Sequence, residues 1–345
     1  MGVELSVRGL AFQQQDVGVS ACATTAIWSS LQKAREHEDV ASATPAQITM
    51  LASKYSLPFG RSMPSEGLSL DQMCQSIQAV GLSPNIFRVD DAATSRGYLY
   101  TAIRSGFAPV LILESSQGTY HAVTAVGMKV RATHRRTIIG ESLDDLAGDL
   151  LALYIHDDRC GPYLKAEIAN FEHEPKRLDL VLVLRDPPDE STEPWQVTHL
   201  LIPLHSKIRL SFAGLREIAQ QLAGAAGLGY MKNVDLPPDA IDNGIVTFDD
   251  RIMRSHRYIE SLITQSRGQT AERIEQLVST VALARYLGVI RLRSKFFAPL
   301  DVLVDTTSTR KNAHCLAVVA AGSLPGHTPL VGRFLADGFG CPFIV

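Results

Sequence analysis

The sequence predicts an α+β protein, because helix-like and strand-like patterns occupy different parts of the chain. Up to Arg104, helix-capping residues precede stretches whose apolar side chains recur at helical spacing. Beyond that point the chain contains short apolar runs, rich in β-branched residues and bounded by polar turns, that are typical of strands. Helices and strands that are segregated along a chain are the pattern of the α+β class.

Four helices are predicted in the first part of the chain. The first begins after Ser20, a good N-cap, and runs from Cys22 to about His37. Its apolar face consists of Ala23, Ala26, Ile27, Leu31 and Ala34. The other three helices, two of which start at capping boxes, run from Thr44 to near Tyr55, from Ser69 to Gly81 and from Thr94 to Arg104.

Three strands are predicted after these helices, over residues 107–114, 121–128 and 150–155. His121 stands at the entrance of the second strand. The third strand ends in a turn rich in polar groups, which contains Asp157. The sequence therefore predicts that a histidine and an aspartate lie at strand ends.

An acidic, proline-rich stretch over 186–195 predicts a linker between two domains. The first domain then covers 1–185, and an α+β region of unknown role covers 196–345. The helices of this second region are expected at 212–223 and 271–286, its strands at 197–203, 207–210, 289–293, 300–305 and 315–320, and a loop at 231–248.

Composition limits the classes of function. The 345 residues exceed a usual single domain, and 46% hydrophobic with 20% charged residues describe an ordinary globular protein. A net charge of -3 with scattered basic residues gives no surface for nucleic acid and no polybasic membrane patch. No stretch resembles a signal peptide or an apolar bilayer-spanning run, so the expected location is the cytoplasm, with neither nucleic acid nor membrane as partner.

The five cysteines are predicted to be free thiols. Their number is odd, they are widely separated, and no C-x-x-C pair occurs, which argues against a disulfide framework and against a structural zinc site. The sequence also contains no phosphate-binding glycine loop, metal-ligand motif or cofactor motif. No cofactor and no metal are therefore expected.

Cys22 is the candidate nucleophile. A cysteine in the first turn of a helix faces unpaired backbone N–H groups and the positive end of the helix dipole, both of which favour the thiolate. The alternative is that the small-residue run around Cys22 is a place where helices pack closely, since free cysteine is often buried.

A thiol nucleophile needs a base and a group that orients the base. Imidazole suits the first role because its pKa lies near neutrality, and His121 is the candidate, although a histidine at a strand edge can also be purely structural. Asp157 is the candidate for the second role, because the third strand leads directly into it, and Asp158 is the alternative. His134 and His156 are expected to lie in turns.

His314 and Cys315 form a rival pair in the second region. They open an apolar run much as His121 opens its own. Neighbouring residues of a strand point to opposite faces, so His314 is poorly placed to act as the base for Cys315. We interpret this pair as structural, with His314 still able to line a substrate groove.

Several motifs of the first half follow one order. They are Gln15 upstream of Cys22, the strand Gly106-Phe107-Ala108-Pro109-Val110, the run Tyr120-His121-Ala122-Val123 with Gly127, and Asp157 followed by Gly161. In this order the chain resembles the papain-like cysteine peptidase superfamily, and within it the compact bacterial type of the bacteriocin leader-processing peptidases. The resemblance covers roughly residues 10 to 170. It implies a papain-like fold, in which N-terminal helices that carry the cysteine pack on an antiparallel sheet that carries the histidine and aspartate.

The resemblance also implies a role for each of four residues. Cys22 would be the nucleophile, His121 the general base and then the general acid, and Asp157 the residue that orients the imidazole. Gln15 would donate a hydrogen bond to the oxyanion beside the backbone N–H of Cys22.

Two details depart from the family's pattern. Gln15 stands one position farther from Cys22 than the family's glutamine usually does, so an inserted residue must be accommodated or Gln14 takes the role. Ala23 occupies the position after the cysteine, where the family usually has glycine.

The resulting expectation is a cysteine peptidase, or a related thiol amide hydrolase, that acts on a polypeptide or amide substrate through an acyl-enzyme. The same residues would also serve a transglutaminase-like enzyme that transfers the acyl group to an amine. A third hypothesis is a papain-like body that has lost its chemistry and serves as a binding or scaffold module.

Overall fold

The computed structural model describes most of the chain: residues 9–14, 21–37, 40–54, 67–131, 138–139, 143–169, 181–186, 191–233, 246–265, 270–294, 297–308, 315–320 and 328–344. The chain divides into two compact units. The first comprises Met1–Ser95, Gly106–Val130 and Leu150–Ser206. The second comprises Arg96–Ser105, Arg131–Asp149 and Lys207–Val345.

Helices and largely antiparallel sheets make up both units, so the predicted α+β class is confirmed. The helices are α1 (Cys22–His37), α2 (Pro45–Ala52), α3 (Leu70–Ala79), α4 (Ala92–Arg104), α5 (Phe212–Asn233), α6 (Ser255–Gln265), α7 (Thr270–Thr280) and α8 (Thr328–Phe339). The strands are β1 (Leu82–Arg88), β2 (Val110–Glu114), β3 (Tyr120–Val130), β4 (Ile138–Ile139), β5 (Leu143–Asp145), β6 (Leu150–Asp157), β7 (Gly161–Ile168), β8 (Val181–Asp186), β9 (Ser191–His205), β10 (Val246–Arg254), β11 (Tyr286–Arg293), β12 (Leu300–Asp305), β13 (Cys315–Ala320) and β14 (Phe343–Ile344). Among these helices, none combines the length and the apolar character that a bilayer-spanning segment requires.

The predicted capping boxes are present in the first unit. The side chains of Thr44 and Ser69 each accept a hydrogen bond from the backbone N–H three residues farther on. The side chains of Gln47 and Gln72 in turn accept from the backbone N–H of the cap residue, so both helix starts are satisfied reciprocally. Gly81 follows α3 with a φ of 88°, in the left-handed region that favours glycine after a helix.

The sheet of the first unit is antiparallel throughout. Its strand order is β1-β9-β2-β3-β6-β7-β8, and β8 pairs again with β9, so six strands close into a ring. The helices α1, α2 and α3 cover part of this sheet through a buried apolar cluster that includes Ala23, Ile27, Leu31, Ile48, Ile77, Val110, Ala122 and Leu201. The predicted apolar face of the first helix is therefore the face that packs on the strands.

Part of the stretch predicted as a linker lies in this sheet. Asp186 ends β8 and pairs with Ser191, the first residue of β9. Pro194 is accommodated because the pairing of β9 with β2 stops at Gln196, which leaves one side of β9 without a described partner strand at the proline. The units therefore differ from the predicted domains 1–185 and 196–345.

The second unit also takes segments from the first half of the chain, where the sequence predicted a single cut. Most of α4 and the segment that contains Asp145 belong to it. Arg104 on α4 donates to Asp249 on β10 at 2.8 Å, and Arg216 on α5 forms a buried ion pair with Asp145. Ion pairs between residues so distant in sequence leave no local pattern.

The sheet of the second unit has the order β14-β13-β12-β11-β10-β5-β4, with parallel pairs at β13–β14 and β5–β10. Its predicted strands at 289–293, 300–305 and 315–320 are present. The helix predicted to end at 223 instead continues to Asn233, past Gly224 and Gly227. Buried residues such as Leu222 and Ala226 hold this helix, and their packing outweighs the cost of about 1 kcal/mol for each interior glycine.

Candidate active site

Cys22 is the first residue of α1, so its predicted place in the first helical turn is confirmed. The helix packs on the strands that carry the other candidate residues. The hydroxyl of Thr124 on β3 donates a hydrogen bond to the backbone carbonyl of Ala26 at 2.7 Å, and Ala23 and Ile27 are buried beside it. This packing fixes the cysteine end of α1 next to the start of β3.

His121 lies between the cysteine and the aspartate. Its Nε2 is 3.1 Å from Oδ1 of Asp157, and a second hydrogen bond joins its side chain to Cys22. The side chain of His121 is only 5% exposed. Cys22 and Asp157, which are far apart in sequence, therefore both contact the imidazole of His121.

The charge state of His121 follows from these neighbours. Burial alone lowers the pKa of His121, but the hydrogen bonds to Asp157 and Cys22 and the charges of both groups raise it to about 9. The imidazole is then protonated at neutral pH. A protonated imidazole in this position can give its proton to a leaving group.

Asp157 is held by the turn that follows β6. Its Oδ1 accepts hydrogen bonds from the backbone N–H groups of Arg159, at 2.9 Å, and Cys160, at 3.4 Å. Burial acts to raise the pKa of Asp157, yet the bond from His121 and the bond and charge of Arg159 lower it below its ordinary value. The carboxylate is thus ionised and fixed in the orientation that holds the imidazole.

Asp158, the alternative orienting residue, also faces His121 but lies farther away. Its Oδ1 is 3.7 Å from Nε2 of His121, beyond hydrogen-bond distance. Burial is the main cause that raises the pKa of Asp158, and the adjacent charge of Asp157 adds to it. The geometry favours Asp157 over Asp158 as the partner of the imidazole.

Trp195 is a site residue that the sequence did not reveal. Its ring lies 5.9 Å from the ring of His121, and its side chain is buried. The guanidinium carbon of Arg159 lies over the tryptophan ring, 5.4 Å from its centre. Trp195 thus covers the histidine, in a segment that the sequence predicted to be a linker.

His156 is buried in β6, so its predicted place in a turn is wrong. Its ring packs edge-on against Tyr163, at 4.7 Å, and against Phe12, at 5.5 Å. Burial lowers the pKa of His156, which favours the neutral ring. Its contacts are those of a core histidine and not those of a base.

Several predicted residues lie outside the described part of the chain. They are Gln15, the N-cap Ser20, and the histidines His134 and His314. Gln14 is described and is exposed. The proposed oxyanion role of Gln15 therefore stays a prediction from the sequence.

Replacing Asp157 tests the orienting role. We expect Asp157→Ala to lower the rate at which Cys22 reacts with a substrate-like acylating probe by about 10²- to 10⁴-fold, because the imidazole loses its anchor. Asp157→Asn should restore part of that rate, since an amide oxygen can accept the same bond. Asp158→Asn should change the rate less than Asp157→Ala, and the opposite ranking would assign the orienting role to Asp158. Rates are compared by mass spectrometry at equal folded fraction.

Replacing Trp195 tests the cover over the histidine. Trp195→Ala should lower the free energy of unfolding by about 3–5 kcal/mol, as large aromatic deletions in cores do. Trp195→Phe keeps a ring against His121 and should cost clearly less. Urea unfolding followed by far-UV circular dichroism measures both variants. Equal stability of the alanine variant and the native protein would show that the ring contributes nothing to packing.

Comparisons with known proteins assign no family to this chain. No protein-family model matches the sequence, and no curated protein matches it either.

Proposed function

We propose that this protein is a cysteine peptidase, or a related thiol amide hydrolase, of the papain-like type. The single observation that carries the proposal is that His121 bonds to both Cys22 and Asp157. A nucleophile, a base and an orienting group in one chain of contacts are the arrangement that thiol acyl transfer needs. The order Gln15, Cys22, His121, Asp157 and its resemblance to the superfamily support the same conclusion.

In the proposed reaction the sulfur of Cys22 attacks the carbonyl carbon of an amide. A carbon–sulfur bond forms, and the carbonyl electron pair moves to oxygen. His121 then gives its proton to the leaving amine as the carbon–nitrogen bond breaks, which leaves a thioester on Cys22. Water, deprotonated by His121, attacks the thioester and releases the carboxylic acid together with the thiol.

Addition of the sulfur to the carbonyl gives a tetrahedral intermediate with a negatively charged oxygen. This oxygen requires hydrogen-bond donors. The backbone N–H of Cys22 lies in the first turn of α1, where such groups have no partner within the helix. We assign it to the oxyanion, with the side-chain amide of Gln15 as the second donor. Each donor of this kind is worth about 10²- to 10³-fold in rate.

The experiment that tests the proposal is trapping of the acyl-enzyme. The protein is incubated with a library of activated peptide esters and with a labelled amine, and its intact mass is followed. We expect a mass increase that maps to Cys22 and then disappears as acid is released. Incorporation of the label into acceptor proteins would instead assign acyl transfer. No adduct with any substrate would favour the binding or scaffold module.

A further inference from the structure

His121 lies next to two carboxylates, those of Asp157 and Asp158. Nε2 of His121 and one carboxylate oxygen from each of Asp157 and Asp158 lie within 4.8 Å of one another. All three side chains are buried, with 5%, 0% and 1% exposure. One imidazole nitrogen and two carboxylates are therefore close enough to bind the same metal ion.

Hydrogen bonding does not explain why the carboxylate of Asp158 is buried. The backbone N–H of Asp158 itself acts on this carboxylate, but no other described residue gives either oxygen a hydrogen bond of good geometry, and Oδ2 of Asp157 also has no such partner among the described residues. Burying a charged group without partners costs several kcal/mol, and two adjacent carboxylates repel each other. A cation between the two carboxylates would cancel their repulsion and give the Asp158 carboxylate a partner.

The distances suit a small tetrahedral cation. Ligand atoms at about 2.0–2.2 Å from a tetrahedral zinc ion lie about 3.4 Å from one another. Nε2 of His121 lies 3.1 Å from Oδ1 of Asp157 and 3.7 Å from Oδ1 of Asp158, so the two measured distances fall on either side of that value. The third separation, between the two carboxylate oxygens, is at most 4.8 Å.

The donor set selects the kind of metal. Mg²⁺ and Ca²⁺ prefer six or more oxygen ligands, whereas an imidazole nitrogen with carboxylates suits Zn²⁺. The guanidinium Nε of Arg159, 4.0 Å from Oδ1 of Asp157, is the nearby positive charge that opposes a cation. Its side chain is 46% exposed, so it can turn toward solvent when an ion enters.

We propose that Nε2 of His121 and the carboxylates of Asp157 and Asp158 bind one Zn²⁺ ion. Coordination forms a bond from the Nε2 lone pair to zinc, releases the Nε2 proton to water and replaces the hydrogen bond between His121 and Asp157. The binding stands on the geometry of these three side chains and holds whether or not the protein is a peptidase.

Calorimetric titration of the chelator-treated full chain with zinc chloride tests the site. We expect one Zn²⁺ per chain, no comparable heat with Mg²⁺, and at least about 100-fold weaker zinc binding in Asp158→Asn, which loses a direct ligand. Cys22→Ser should bind zinc as the native chain does, because the sulfur is not a ligand. His256→Gln, a change at an exposed histidine in the second unit, is the matched control and should also bind normally.

Three results would overturn the site: no stoichiometric zinc binding, unchanged binding in Asp158→Asn, or loss of binding in Cys22→Ser. Cobalt substitution in the native chain gives a readout that needs no variant. The absorption spectrum should lack a sulfur-to-cobalt charge-transfer band, and its presence would place the metal on Cys22 instead.

Discussion

Replacing Cys22 with alanine should abolish labelling of this protein by a thiol-directed acylating probe at neutral pH. Cys22 is the thiol that bonds to the protonated ring of His121, and it lies in the first turn of α1. Burial raises the pKa of Cys74 to about 11 and that of Cys315 to about 12, and it raises the pKa of Cys341 above its ordinary value, so these three thiols are poor nucleophiles. Peptide mapping by mass spectrometry after short exposure to the probe identifies the labelled residue.

Cys74→Ser is the matched control for this experiment. It removes a half-buried thiol from α3 of the same unit and should leave both the rate and the site of labelling unchanged. Labelling of the Cys22→Ala variant at the native rate would show that another thiol is the reactive one. That result would remove the nucleophile from the proposed mechanism.

Replacing His121 with alanine should lower the turnover of an amide substrate by about 10²- to 10⁴-fold, the range expected for the loss of a general acid and base. The loss should be larger for amides than for activated esters, because an amine leaves only when it receives a proton. Steady-state kinetics with an ester and an amide of the same acyl group separate the two effects. Added imidazole should restore part of the rate by entering the space left by the ring.

His199→Ala is the control for the His121 variant. His199 lies on β9 of the same unit, and its Nδ1 is bonded to the hydroxyl of Thr198, outside the site. This variant should keep native turnover. If His121→Ala lost no more activity than His199→Ala, the acid and base would have to be sought elsewhere.

Local patterns in the sequence were enough to locate Cys22, His121 and Asp157. A helix start can be recognised from its cap and its apolar spacing, and strand ends from the change between apolar runs and polar turns. Each of these three residues lies at such an end. Their convergence depends on the packing of α1 against β3, which a bond such as Thr124 to Ala26 fixes in space but which no local pattern predicts.

Longer-range features could not be predicted. Pro194 and its acidic neighbours suggested a linker, yet β9 continues through them and brings Trp195 onto the ring of His121. Asp158 was expected only as an alternative to Asp157, and the approach of both carboxylates to the same nitrogen was not predicted, because consecutive strand residues normally point to opposite faces. The turn after β6 breaks this alternation.

Measuring the pKa of His121 is the most direct test of whether Cys22 and Asp157 both interact with its ring. An NMR titration of the ring protons, with His121 assigned by comparison with His121→Gln, measures the pKa of His121 in the native protein and in Cys22→Ala. We predict a pKa of about 9 in the native protein, so that the ring is charged below that pH and neutral above it, and a lower pKa in Cys22→Ala, which lacks the bond and charge of the sulfur. A pKa near the ordinary 6.5 in both proteins would contradict the account.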